Sequence, residues 1–110
     1  MSRRAEQRLA DVLAAADAIR QHLERGGLDD GLVFDAVRVR LIEIGEAVKS
    51  IDPDLLAREP EIPWIDIAAM RNHLAHRYFD TAHAIVRATI HHDLPPMIAA
   101  IRRLQHDGTS

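Results

Sequence analysis

The sequence contains no cysteine, one tryptophan, one tyrosine and two phenylalanines. Without thiols a disulfide framework and a thiolate metal centre are excluded, and a reducing compartment is the default expectation. No apolar run approaches the roughly 20 residues needed to span a bilayer. The amino terminus, Met1-Ser2-Arg3-Arg4, leads into Glu6, Arg8 and Asp11 and not into a signal-peptide apolar core. Strand-period alternation, internal repeats and low-complexity tracts are also missing. Aromatics make up only 4% of residues while Ala, Leu, Ile, Arg and Glu are plentiful, which favours helix. These features predict a soluble, cytoplasmic, all-α protein folded as a single domain over residues 1–110, with no membrane association.

The net charge of -3 excludes a chain-wide attraction to nucleic acid, but the charges are unevenly spread. Residues 1–70 carry 9 Lys/Arg against 14 Asp/Glu, whereas residues 71–110 carry 5 against 3 and hold six of the seven histidines. A polyanion could therefore be held locally, after residue 70.

In chain order, a first helix is predicted from about Arg3 to Arg25, with Leu9, Leu13, Ala16, Ile19 and Leu23 on one stripe. Gly26-Gly27 is expected to end it through left-handed positions, and Asp29 or Asp30 to cap the next. A second helix spans roughly Leu32 to Ser50, with Phe34, Val37, Leu41, Ile44, Val48 and Ile51 as its apolar face. Gly45, inside that helix, costs about 1 kcal/mol relative to Ala and is best explained by close helix packing. Asp52-Pro53 starts a short helical turn through Ala57, and the prolines of Arg58–Pro63 stop helix on either side. A third helix begins near Pro63 or Trp64, buries Ile67, Met70 and Leu74, and ends near Tyr78. Asp80 or Thr81 can cap a fourth, interrupted at Pro95-Pro96 by a kink or a fresh start capped by Asp93. Fraying is expected from Gln105 onward. The fold expected is an up-and-down four-helix bundle whose last helix is kinked or broken at Pro95-Pro96.

One stretch does not read as packing. Arg71-Asn72-His73-Leu74-Ala75-His76-Arg77-Tyr78 places two arginines, two histidines and a tyrosine in eight residues. Arginine binds phosphate through paired charge-assisted hydrogen bonds, and histidine moves protons near neutrality. RNA carries its own nucleophile, the 2′-hydroxyl, so a base and a cation can cleave it without a metal. In this scheme His76 exchanges the proton and Arg71 stabilises the phosphoryl oxygens, with Asn72 as a supporting contact. Five residues turn a helix by about 500°, leaving Arg71 and His76 roughly 140° apart. Either the helix loosens before His76, or a second copy completes the site across a two-fold interface; the latter is favoured.

From Leu41 to Leu104 the sequence resembles the HepT family of the HEPN ribonuclease superfamily. The resemblance is carried by Ile44-Gly45-Glu46-Ala47, Ile62-Pro63-Trp64, Met70-Arg71-Asn72, His76, Tyr78-Phe79-Asp80 and Asp93-Leu94-Pro95. The family pattern R-x-x-x-x-H-x-Y falls on Arg71, His76 and Tyr78. The resemblance implies a HEPN-like bundle, a homodimer with the active site at its interface, and a toxin that cleaves RNA with no metal or other cofactor. It also implies a cognate MntA-type nucleotidyltransferase antitoxin that silences the toxin by attaching AMP to Tyr78. Family members often carry an acidic residue and a tryptophan early in the fourth helix, where this chain has Thr81-Ala82-His83 and Arg87. The alternative is a non-catalytic helical subunit of such a nucleotidyltransferase. A metal site built on His73, His76, His83 or His91-His92 is disfavoured because no Asp, Glu or Cys completes it. Trp64 reads as a core anchor, and Arg102-Arg103 as a solvated helix end.

Overall fold

A computed structural model of the chain describes residues 1–75 and 79–109, with side chains for residues 1–75 and 82–107. Every regular element among the described residues is helical: α1 (Arg3–Arg25), α2 (Gly31–Lys49), α3 (Pro53–Leu56), α4 (Trp64–Ala75), α5 (Phe79–Ala88) and α6 (Leu94–Thr109). A π-helical segment, Thr89–Asp93, joins α5 to α6. The expected all-α bundle is what forms, with α5, the π segment and α6 together making its fourth rod.

Local chemistry sets most of the starts. Ser2 accepts from the Ala5 amide at 3.1 Å. Asp30 accepts from Leu32 at 2.9 Å and Val33 at 3.4 Å, and Asp52 accepts from Asp54 at 2.9 Å with Pro53 opening the first turn. Each bond satisfies an amide that has no partner within its own helix. Packing does the rest. Leu9, Val12, Ala16 and Ile19 of α1, Val37, Leu41 and Ile44 of α2, and Ile67, Met70 and Leu74 of α4 join Val86, Met97, Ile101 and Leu104 in one buried cluster. Burial of α1 centres on Val12 and Ala15 beside Leu9, Ala16 and Ile19, while Leu13 and Leu23 are only partly covered, so the buried stripe is rotated from the expected one. Val39 of α2 lies off the buried face and is 47% exposed.

Two expectations are corrected. Gly26 has φ 169° and ψ 170°, an extended conformation, and no glycine lies in the left-handed region among the described residues. The first helix therefore ends by an extended step and not a left-handed cap. Glycine suits Gly26 because an added Cβ would lie 3.3 Å from the Val33 Cγ2 atom. The second correction concerns Pro95-Pro96. The irregularity falls upstream, in the π segment, and the prolines occupy the first turn of α6, where a missing N–H costs nothing. A proline ring collides with the carbonyl four residues back, so a widened turn at 89–93 accommodates the pair without ending the rod. Asp93 closes that π segment.

Arg103 is solvated, as expected, yet its guanidinium binds Glu59 at 2.6 Å and 3.0 Å, fastening α6 to the irregular link before α4. On the same link, Trp64 packs against the core and donates from Nε1 to the Glu59 carbonyl at 2.9 Å, as suits an anchor. The third long helix is described to Ala75, so the expected end near Tyr78 lies outside the described residues. The fourth rod is described from Phe79, ahead of the capping candidates Asp80 and Thr81, whose side chains lie outside the described residues. No helix is long and apolar enough to cross a membrane among the described residues.

Candidate active site at the α2–α4 seam

The polar cluster begins on α4, and α2 determines how it is held. Gly45 lies fully within α2 where the two backbones meet. A Cβ at that position would stand 3.1 Å from the Ile67 carbonyl oxygen, 3.3 Å from the Arg71 amide nitrogen and 3.4 Å from the Ala68 carbonyl oxygen. These neighbours are main-chain atoms, so they cannot swing aside as a side chain would. Close helix packing is thus the reason for Gly45, and it brings α2 against the backbone of Arg71 itself.

The next residue along α2, Glu46, forms an ion pair with Arg71 through the Arg71 Nε. Both side chains are close to half exposed, at 43% and 48%, so the pair contributes about 0–1 kcal/mol to stability. Its effect is geometric: a long side chain that would otherwise sample many rotamers is given one direction. The contact runs through Nε, and the Arg71 side chain, 43% exposed, remains accessible to a phosphate. Glu46 belongs to the Ile44–Ala47 stretch noted in the sequence, yet only the packing of α2 on α4 reveals that it faces Arg71.

A second polar link crosses the same seam. Arg38 donates from Nη1 to the Leu74 carbonyl at 2.7 Å, although the residues are 36 positions apart. Asn72 is exposed on the adjoining face of α4, and Glu46, not Asn72, is what orders Arg71. His73 lines a separate pocket of about 400 Å³ with Asp66, Met70, Thr89 and Asp93. His83 lies elsewhere: it stacks on Phe34 with ring centres 5.0 Å apart and meets the Leu28 carbonyl through Nε2 at 3.2 Å. Among the described residues no three His, Asp or Glu side chains converge on a metal-sized site. His76 and Tyr78 lie outside the described residues.

Two depressions flank the seam. A cleft of about 530 Å³ between α1 and α2 is bordered by Arg8, Asp11, Arg40, Glu43 and Glu46, so it mixes both signs of charge. An apolar groove of about 400 Å³ is lined by Val48, Ile51, Leu56, Trp64, Ile65 and Ala68. Ile65 is 86% exposed and lies six residues before Arg71, on the same helix.

Comparison with known proteins adds an independent line. Residues 9–104 match the family described as Ribonuclease HepT-like, which extends the likeness well before Leu41 and through most of the first helix. A protein of Thermococcus cleftensis named a probable ribonuclease HepT is 30% identical over 109 residues, covering 96% of this chain and 99% of its own. A protein of Methanocaldococcus jannaschii whose name assigns it as an RNase is 36% identical over 103 residues, covering 90% of this chain and 85% of its own. A second such protein of that organism is 29% identical over 103 residues, covering 90% and 89%. No solved structure matches the chain.

Proposed function

The chain belongs to the HepT-like ribonuclease family, and from that premise we propose that it is a metal-independent endoribonuclease toxin acting as a homodimer. The observation that carries this reading is the Arg71 side chain, held by Glu46 at a glycine-tightened helix seam and still 43% exposed.

In the proposed reaction the His76 imidazole removes the proton from a ribose 2′-hydroxyl. The 2′-oxygen attacks the adjacent phosphorus while the bond to the 5′-oxygen breaks, and a protonated imidazole returns a proton to that leaving oxygen. Negative charge grows on the non-bridging oxygens, where the Arg71 guanidinium stabilises it. The products carry a 2′,3′-cyclic phosphate and a 5′-hydroxyl. Asn72, exposed beside Arg71, supplies a further hydrogen bond to the RNA. A second copy of the chain completes the site, and the exposed Ile65 and its apolar groove near Arg71 offer surface for that association.

Control by a cognate MntA-type nucleotidyltransferase would act at Tyr78. Attack of the phenolic oxygen on the α-phosphorus of ATP, with loss of its proton and release of pyrophosphate, puts bulk and negative charge two residues from His76, competing with the RNA backbone for the same cations. The test is digestion of RNA in chelator by the wild type, Arg71→Ala and His76→Ala. Cleavage by the wild type and a loss of about 100-fold or more in each variant are expected. Equal cleavage by all three removes these residues from the reaction. An RNA-inactive wild type would favour the non-catalytic subunit instead.

A further inference from the structure

Arg8, Arg20, Arg40, Arg71 and Arg103 each pair with a carboxylate. Arg38 differs. It is half-buried on α2, is paired with no carboxylate among the described residues, and spends its described hydrogen bond on a main-chain oxygen of another helix. A desolvated guanidinium is costly without compensation. The compensation here is the main-chain carbonyl of Leu74 on α4, which accepts from Arg38 Nη1 at 2.7 Å.

The position of that bond is informative. Arg38 and Gly45 are seven residues apart, so they share one face of α2 at two turns' separation. That face meets α4 at the Arg71 backbone through Gly45 and at Leu74 through Arg38, while Glu46 beside it takes the Arg71 side chain. Leu74 is 0% exposed, so its side chain is anchored in the core while Arg38 holds its carbonyl. His76 follows two residues later in the sequence. Arg71 and Leu74, the described residues that lead to it, are thus both tied to α2.

We infer that Arg38 is a positioning residue of the ribonuclease site: its bond to the Leu74 carbonyl fixes the point from which the chain delivers His76 relative to Arg71. The inference rests on the proposed roles of Arg71 and His76. A general base must sit within about 2.6–3.2 Å of the proton it takes, and a misplacement of about 1 Å can cost on the order of 100-fold in rate. Arg38 does not touch the substrate in this scheme, so its loss should appear in kcat and not in KM.

The experiment compares wild type, Arg38→Met and Arg38→Lys on a short RNA, with thermal melts and amide hydrogen exchange of the peptide covering residues 71–80. Arg38→Met, which keeps length but no donor, should lower kcat by about 10-fold to 100-fold and leave KM within about twofold. Exchange in residues 71–80 should quicken. Arg38→Lys keeps a cationic donor and should recover most of kcat. If Arg38→Met does not fold, Arg38→Gln keeps a neutral donor and should show a smaller kcat loss with the same KM. Unchanged kcat in a folded variant overturns the inference. So does a raised KM at constant kcat with a weakened salt dependence, which would make Arg38 a phosphate contact. A wild type without RNA cleavage defeats the functional reading itself. Exchange then still decides the tether: quickened exchange would retain it and overturn only its link to cleavage, and unchanged exchange would overturn both.

Discussion

The seam between α1 and α2 and the seam between α2 and α4 use the same helix in different ways. The α1–α2 seam is part of the apolar core, to which α1 gives Leu9, Val12 and Ile19 and α2 gives Val37 and Leu41, the last two 0% exposed. Among the described residues no ion pair crosses between these two helices, and the side-chain bonds at this seam stay within one helix at i,i+3 or i,i+4, as in Arg20 with Asp17 and Glu24 or Arg40 with Glu43. A long contact of 3.4 Å from Arg40 to His22 is the exception. Against α4, a glycine replaces the side chain, and Glu46 and Arg38 reach across to a guanidinium and a carbonyl. The first arrangement buries apolar area and sets stability. The second contributes little net energy and determines where functional groups point. One helix therefore has a stabilising side and an orienting side.

That contrast can be broken from either side. The largest stability effect is expected at the α1 seam: Ile19→Ala, at a residue 1% exposed, should cost about 2–5 kcal/mol in urea denaturation. At temperatures where it remains folded, its RNA cleavage per folded molecule should match the wild type. Gly45→Ala comes next. The substitution gains about 1 kcal/mol of helix propensity but forces a Cβ to 3.1 Å from a carbonyl oxygen that is main chain. A net loss of about 1–2 kcal/mol is expected from the overpacking, with a fall in cleavage larger than the melting shift alone predicts. Unchanged melting and cleavage would show that the seam can spread at no cost.

Glu46→Gln should barely alter the melting temperature, because an exposed pair is worth about 0–1 kcal/mol. Cleavage should nonetheless fall several-fold as Arg71 loses its fixed direction, and equal kcat in the two proteins would remove Glu46 from the site. The smallest effect is expected far from both seams. The hydrogen bond from Arg103 holds the Glu59 carboxyl below the usual carboxylate range. A depressed folded pKa contributes stability that is present above the unfolded value, about 4.3, and is lost as pH falls through the lower folded value. Glu59→Gln should therefore melt slightly below wild type at neutral pH, and the gap should close in acid.

How much of this was legible in the sequence depended on how far apart the interacting residues lie. Asp30, Asp52 and Pro53 act on amides two or three residues away, so their capping roles can be read from neighbours alone. The apolar face of α2 was legible from periodicity, since Phe34, Val37, Leu41, Ile44, Val48 and Ile51 are all buried. Gly45 was legible as a packing glycine, though not which backbone it meets. The Gly26 conformation was not, because glycine permits both the extended and the left-handed step. Nor was the π turn, since a proline pair announces a constraint without stating where the chain relieves it. Arg103 is solvated as expected, at 57% exposed, but its ion pair was not legible because its partner Glu59 is 44 residues away.

The amino-acid order by itself determined the helical class, the caps at Asp30 and Asp52, the buried face of α2 and the presence of Arg71, His76 and Tyr78 in a ribonuclease-like pattern. These depend on nearest neighbours, helical spacing or motif register, all of which are written along one dimension. The tertiary structure alone decided that Glu46 holds Arg71 and that Arg38 holds the carbonyl of Leu74. Those partners meet because the absence of a side chain at Gly45 lets two helices approach, and that distance is a property of the packed pair.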